Sequence, residues 1–328
     1  MNHRIQLDID ELKKARDLIA QSSRVLIISH RNPDADSIGA NSSVRIALES
    51  MDKTVSSACA DPVPENLQFM KYGDQFLQDL TWQRIQEYDL IITVDCGAHY
   101  LVKYHETIPQ ILSKEIPIIN IDHHASNDLF GNANILDREG ASTTLVLYFF
   151  FKFLGVEVNT DMATSMLAGL YFDTGSFKHS NTSSEVLAVT SHLMHKGADY
   201  KLIVNHLFKT TSINRLKLWG RALSRARLND KDVLVSNITE EDLKELELEP
   251  NDLSGVIDYL NSTPDSKFCI LLTEDMKGNI KGSCRTLRDD VDLSKIAGVF
   301  GGGGHRKAAG FTIPGHLEEE VVKKIKIK

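Results

Sequence analysis

Cysteine is scarce in this 328-residue chain, which has only Cys59, Cys96, Cys269 and Cys284 and no Cys-x-x-Cys pair. Such wide spacing excludes a disulfide framework and a thiolate zinc knot, leaving reduced, mostly buried thiols as the expectation. Long apolar runs are missing too. The longest, such as Thr144 to Phe151 and Val25 to Ile28, fall far short of the roughly 20 residues needed to cross a bilayer. Residues Met1 to Asp8 show neither the apolar core nor the small-residue cleavage site of a signal peptide, so the cytoplasm is the expected location. Nor is there an excess of basic charge. Lys and Arg number 37 against 45 Asp and Glu, a formal net charge of -8. That argues against a broad footprint on long nucleic acid, whose non-specific affinity comes from phosphate neutralisation. A short anionic ligand in a locally positive pocket stays open. No internal repeat or low-complexity segment occurs beyond the four glycines at 301–304.

What is present is a soluble composition, 42% hydrophobic and 25% charged, on a chain long enough for two domains. Residues 9–21 repeat apolar positions at helical spacing and precede a strand-like run, Arg24 to Ser29; further strand-like runs occur at Leu90 to Val94 and Pro117 to Ile121. Segments of helical length lie between them. This alternation predicts an α/β fold with an open, mostly parallel sheet. Residues 142–153 and 160–172 read as helices, the second stopping where Gly175 can terminate it. After Ser184 the pattern is helical without new acidic clusters. From about Arg225 the chain turns strand-rich, with Asp232 to Ser236, a hairpin of Lys267 to Thr273 and Asn279 to Arg285, a short helix Leu293 to Val299, and a final strand and helix. The expected organisation is a parallel-sheet α/β domain over 1–185, a helical linker over 186–224 and a smaller α/β domain over 225–328.

Each early strand is followed at once by residues able to do chemistry. His30, Asp34 and Asp36 follow the first, Asp95 the next, Asp122-His123-His124 the third, and Asp173 ends a helix. Open parallel sheets bind ligands outside the carboxyl ends of their strands, so these clusters are expected to share one site. Crowded carboxylates cannot all ionise unaided, and divalent cations would neutralise them. Imidazole and carboxylate without thiolate suit manganese, iron or cobalt, with manganese the best fit to the carboxylate share. Two ions about 3.5–4 Å apart, bridged by a carboxylate, form the arrangement for in-line attack on phosphorus; Asp95 is the candidate bridge. Taken singly, each Asp is better explained as a helix cap or turn residue and each His as a satisfied surface or core residue. Their recurrence after successive strands favours the joint reading.

His124 is the candidate acid at a substrate oxygen or holder of the scissile phosphate, with Asp122 orienting the histidine pair from behind. The glycine run followed by His305, Arg306 and Lys307 offers backbone N–H groups to an anion, or serves as a hinge. It is not a Walker loop, because Gly-Lys-Ser/Thr is absent. Arg285, at a strand end, is a candidate phosphate partner, although taken alone a solvated surface arginine explains it better. Arg288, Asp289 and Asp290 read as solvated loop charges.

The set His30-x-x-x-Asp34-x-Asp36, Val94-Asp95, Asp122-His123-His124-x-x-Asn127 and Asp173, followed by Gly301 to Gly304-His305-x-x-Ala308-Ala309-Gly310, closely resembles the DHH phosphoesterases with a DHH-associated C-terminal domain. Within them it looks most like the nanoRNase and pAp phosphatase branch. The resemblance implies two manganese ions per active site, with His30, Asp34 and Asp95 holding one and Asp36, Asp95, His123 and Asp173 the other. It implies that His124 assists the leaving oxygen, and that Arg285 with Gly302, Gly303, Gly304 and His305 binds the nucleotide or phosphate across a cleft. Thr286 stands where many relatives have serine. The basic motif of the pyrophosphatase branch is not found, which disfavours inorganic pyrophosphate. The implied activity is hydrolysis of short oligoribonucleotides (nanoRNA) to mononucleotides and of 3′-phosphoadenosine 5′-phosphate (pAp) to AMP. Cyclic or linear signalling dinucleotides, single-strand DNA exonuclease action and a catalytically silent nucleotide-binding regulator are the alternatives. No long duplex nucleic acid and no membrane are expected as partners, and a homodimer is left open.

Overall fold

A computed structural model describes residues 4–102, 104, 111, 113, 115–208 and 211–318. The chain forms two compact units, Met1–Thr210 and Thr211–Lys328.

The first unit opens with α1 (Ile9–Gln21), whose N-cap Asp8 accepts hydrogen bonds from the N–H groups of Asp10 and Glu11 and whose Leu12, Ala15 and Ile19 are buried. Then come β1 (Arg24–Ser29), α2 (Ala35–Glu49), β2 (Thr54–Ala58), β3 (Phe76–Leu77), α3 (Trp82–Ile85), β4 (Leu90–Val94), β5 (Ile118–Asp122) and β6 (Ala133–Leu136). Helices α4 (Thr143–Leu154), α5 (Thr160–Asp173), α6 (Ser184–His195) and α7 (Tyr200–Phe208) complete it. The strands form one sheet in the order β3-β2-β1-β4-β5-β6, and every pairing is parallel. All of β4 and β5, and all of β1 but Arg24, is buried. Strands covered on both faces read as continuous apolar runs, which is why these three were legible. Their side chains alternate between two cores: Val25, Ile27 and Ile92 lie in one, Leu26, Ile28 and Ile91 in the other. The third strand begins at Ile118 rather than Pro117, since proline has no N–H for the ladder.

The strand order reverses direction at β1, with β2 on one side and β4 on the other. Loops leaving the carboxyl ends there diverge and leave a crevice. Both His30 and Asp95 start from it.

The second unit comprises α8 (Ile213–Arg225), β7 (Arg227–Leu228), β8 (Val233–Ile238), α9 (Glu240–Leu246), α10 (Val256–Asn261), β9 (Phe268–Glu274), β10 (Asn279–Arg285), α11 (Leu293–Val299), β11 (Gly303–His305) and β12 (Ala308–Pro314). Its sheet runs β11-β12-β10-β9-β8-β7, with β8 and β9 parallel and the other pairs antiparallel. The expected hairpin is β9–β10. The Asp275 side chain accepts from the N–H groups of Lys277 and Asn279, and Gly278 takes a left-handed φ of 75°.

Two features depart from expectation. The stretch 186–224, expected as a connecting helical segment, is divided between the units. Val186, Val189, Leu193 and Ile203 join the first core, while Leu218 and Ala222 join the second. The glycine run is no open hinge either, because Gly303–His305 pairs as a strand with Ala308–Gly310. At Gly302 a β-carbon would lie 2.2 Å from the Gly310 carbonyl oxygen and 2.6 Å from Phe311 Cβ, so close backbone approach demands glycine there. The helix expected at the chain end falls outside the described residues.

Candidate metal centre

Beyond β1 the chain turns through Asn32 (φ 52°) and enters α2 with Asp34 as N-cap. Asp34 Oδ1 accepts N–H bonds from Asp36 and Ser37, both at 3.0 Å. The capping role and a role at the site are therefore compatible. Asp36, the second residue of α2, is fully buried. Its carboxylate accepts from the N–H of Thr143 at 2.6 Å, the N–H of Thr144 at 3.0 Å and the Thr144 hydroxyl at 2.7 Å. The start of α4 thus pins Asp36, and its unpaired amides and dipole favour the carboxylate.

Asp95 follows β4 in a left-handed conformation, φ 59°, an uncommon state for a non-glycine residue and one that clusters at functional sites. It presents one oxygen to each side of the site. Oδ2 lies 3.3 Å from His30 Nε2, and Oδ1 lies 3.6 Å from His123 Nε2 and accepts from the Thr143 hydroxyl at 2.8 Å. His30 Nδ1 donates to the Arg31 carbonyl at 2.6 Å and His123 Nδ1 to the Gly140 carbonyl at 3.0 Å. A carbonyl can only accept, so Nδ1 of each imidazole carries its proton there and Nε2 is the ring nitrogen turned toward the carboxylates. Asp173, at the end of α5, completes the set with Oδ2 at 3.3 Å from His123 Nε2.

Donor atoms of His30, Asp34 and Asp95 lie within 4.8 Å of one another, as do those of Asp36, His123 and Asp173, and those of Asp95, His123 and His124. The structure therefore brings together all six expected ligands. His30, Asp34, Asp95, His123, His124, Ala141, Asp173 and Asn181 line a cavity of about 400 Å³, behind which Asp36 is buried.

Electrostatics show what this crowding costs. Burial and the charge of Asp95 push the Asp36 carboxyl up to about 7. Burial, Asp36 and Asp95 raise Asp173 well above the carboxylate range. For Asp95 burial works the other way, but hydrogen bonding to His30 and the nearby imidazoles hold it well below that range. Burial would lower His30, yet its hydrogen bonds to Asp34 and Asp95 push it up to about 11. Buried carboxylates and imidazoles that hold protons a cation could displace, without thiolate, are a donor set that fits divalent cations.

His124 is set apart from this ligand pattern. Its Nδ1 donates to Asp122 Oδ1 at 2.7 Å, and that bond, with the charge on Asp122, raises it to about 9. Asp122 is fully buried, and its other oxygen accepts from Asn127 Nδ2 at 2.6 Å. Asp122 thus orients His124 alone, while His123 is fixed by a backbone carbonyl.

The remaining expected residues lie in the second unit. Arg285 and His305 both pair with Ala308, so they share one cross-strand row on either side of it. Arg285 Nε is 3.7 Å from Asp258 Oδ1. Lys307 is paired with Asp289 at 2.7 Å, and Arg288 with Asp290 at 2.7 Å, so these loop charges are largely spent on each other.

Sequence reasoning did not single out Thr143, Thr144, Gly169, Arg138, Gly140 or Asn181. The pair of threonines resembles an ordinary helix start, with Ser142 as its cap. Gly169 lies in a helix interior, where glycine is costly, and that cost was the available signal. A β-carbon there would sit 2.5 Å from Asp36 Oδ1.

Carboxylates and imidazoles gathered at the switch point of a parallel sheet are a donor set that could hold divalent cations. Residues 24–170 match the DHH family, N-terminal domain, and residues 230–327 match the DHHA1 domain. The chain is 30% identical over 301 residues to the bifunctional oligoribonuclease and PAP phosphatase NrnA of Thermus thermophilus, covering 91% of this chain and 86% of that one. It is 27% identical to the cyclic-di-AMP phosphodiesterase GdpP of Geobacillus thermodenitrificans, over 88% of this chain but only 44% of that protein. Among solved structures, an exopolyphosphatase-related protein from Bacteroides fragilis superposes with a TM-score of 0.84 at 24% identity, over 97% of this chain and 94% of that one. The chain belongs to the DHH phosphoesterase family and carries both its DHH and DHHA1 domains.

Proposed function

We propose that this protein is a manganese-dependent hydrolase of very short RNA, releasing mononucleotides, and that it also converts pAp to AMP. The single observation that carries the two-cation part of the reading is Asp95, in the left-handed region with one oxygen toward His30 and the other toward His123. His30, Asp34 and Asp95 would hold one cation, and Asp36, Asp95, His123 and Asp173 the second. Bound cations would supply Lewis acidity at the phosphoryl oxygens and lower the pKa of water. His124, protonated near neutral pH and held by Asp122, delivers a proton from Nε2 to the departing oxygen. Asp36 keeps its orientation through the amides at the start of α4. Arg285, with Gly302, Gly303, Gly304 and His305, takes the nucleotide end of the substrate in the second unit. Similarity to NrnA over most of both chains supports this substrate class.

No helix among the described residues is long and apolar enough to cross a membrane, and a cytoplasmic location is part of the proposal. The match to GdpP supports a second reading, hydrolysis of signalling dinucleotides. The test is mononucleotide release from a 5′-phosphorylated RNA dinucleotide with Mn²⁺, beside a chelator control, pAp, a cyclic dinucleotide, a longer RNA and Asp34→Ala. Release that requires both metal and Asp34 supports the short-RNA reading. Cleavage of the cyclic dinucleotide alone supports the second.

A further inference from the structure

We infer that Arg138 is a positioning residue for His124, acting through the backbone of the loop that carries it; this rests on the role of His124 proposed above. The loop from His124 to Asn127 follows β5, and Ala125 and Ser126 are exposed, so no core packing fixes them. Arg138, just past the end of β6, reaches across to it. Its Nη1 donates to the Ala125 carbonyl and its Nη2 to the Asn127 carbonyl, the latter at 3.0 Å. A planar guanidinium suits this task because its two donors are held in a fixed fork.

The bracketed turn is closed by Asn127 N–H donating to the His124 carbonyl at 3.1 Å. The Asn127 side chain donates to Asp122, and Asp122 accepts from His124 Nδ1. Contacts therefore run unbroken from Arg138 through Asn127 and Asp122 to the imidazole. The same segment ends at Gly140, whose carbonyl accepts from His123 Nδ1. His123 is thus held by backbone and the His124 loop by a side chain, so substitution at 138 separates the two. The base of the clamp is tied down independently of Arg138. Asp137 accepts from the N–H of Gln6 at 2.8 Å and from the N–H of Glu139 at 3.0 Å.

The test compares Arg138→Ala, Arg138→Lys, His124→Ala and the double variant in the full chain, with Mn²⁺ and an RNA dinucleotide. Arg138→Ala is expected to lower kcat about 10-fold with KM within about twofold, the scale of losses from orienting groups. Mn²⁺ affinity should hold, since the Gly140 carbonyl still anchors His123. Lysine should restore little, because one ammonium cannot bridge both carbonyls. The double variant should be no slower than His124→Ala alone, as residues acting through one group are non-additive. In the metal-free protein, the low-field Nδ1 proton resonance of His124 should broaden in Arg138→Ala. A wild-type kcat in Arg138→Ala, or multiplicative losses in the double variant, would overturn the inference. Full activity in His124→Ala would overturn the reading of His124 itself, which is a different signature.

Discussion

Gly169→Ala tests how tightly the second half of the site is built. The new β-carbon would lie 2.5 Å from Asp36 Oδ1 and 2.7 and 2.8 Å from the Thr144 side chain. Ordinary contact begins near 3.4 Å, so Asp36 and α5 must part by about 0.9 Å. Asp36 cannot give easily, because it is fully buried and three donors from the start of α4 hold it. Overpacking of this kind costs about 1–3 kcal/mol, while alanine regains about 1 kcal/mol of helix propensity, so the fold should lose at most about 2 kcal/mol. Metal sites tolerate displacements of about 0.2 Å, and displaced support typically costs 10–100-fold in affinity. The expected result is a folded protein whose Mn²⁺ affinity, measured by electron paramagnetic resonance titration, falls by that factor. Gly220→Ala is the control. Gly220 is exposed on α8 with nothing within 4 Å of the added carbon. It should stabilise by up to about 1 kcal/mol without touching metal binding. Unchanged Mn²⁺ affinity in folded Gly169→Ala would refute the claim that Asp36 is rigidly held for a cation.

Three further outcomes are expected. Asp122→Asn removes the main cause that raises His124 to about 9. The imidazolium form is then abundant only below about 6.5, so at pH 8 kcat should fall about 30-fold; a pH–rate profile whose alkaline limb does not move would count against His124 as the acid. Mn²⁺ binding should expel protons, because His30 sits at about 11 and Asp36 at about 7 without metal. With Asp173 also raised above the carboxylate range, calorimetry in buffers of different ionisation enthalpy should find roughly two to three protons released per site at pH 7, and affinity rising with pH. In the second unit, Asp242 is held well below the carboxylate range. Burial opposes this, but Arg225 and the Thr239 cap outweigh it. Its folded value lies below its unfolded one, so its contribution is complete above about pH 4 and fades as pH falls through the folded value. Asp242→Asn should cost about 1–2 kcal/mol at pH 7 in thermal unfolding, and less in acid.

The parts of the fold legible in sequence were those whose pattern reports burial directly. β1 and β4 carry the unbroken apolar runs Val25–Ile28 and Leu90–Ile92 because both faces are covered, and α1 shows its apolar stripe because one face is. β2, with Ser56 and Ser57 inside its five residues, and the two-residue β3 carry no comparable pattern. Only pairing with neighbouring strands made them part of the sheet. The glycine run shows the same limit: its composition suits a hinge or an anion nest, whereas the crowding of Gly302 against Gly310 and Phe311 turns it into an edge hairpin.

The six ligand candidates could be named from sequence because each sits just past a strand or helix end, where parallel sheets place their chemistry. Sequence could not say which oxygen of Asp95 faces which histidine, that His123 is fixed by the Gly140 carbonyl while His124 is fixed by Asp122, or that Thr143, Thr144, Gly169 and Arg138 belong to the same apparatus. Those relations join residues up to 133 positions apart in the first unit, as with His30 beside Asp95 and His123 beside both Asp95 and Asp173, or Asp36 beneath Gly169. Periodicity and spacing are local properties of a chain and determine elements and residue types. Orientation, hydrogen-bond partnership and the shape of the space around a carboxylate arise only when distant segments are packed against one another, and the tertiary structure alone decides them.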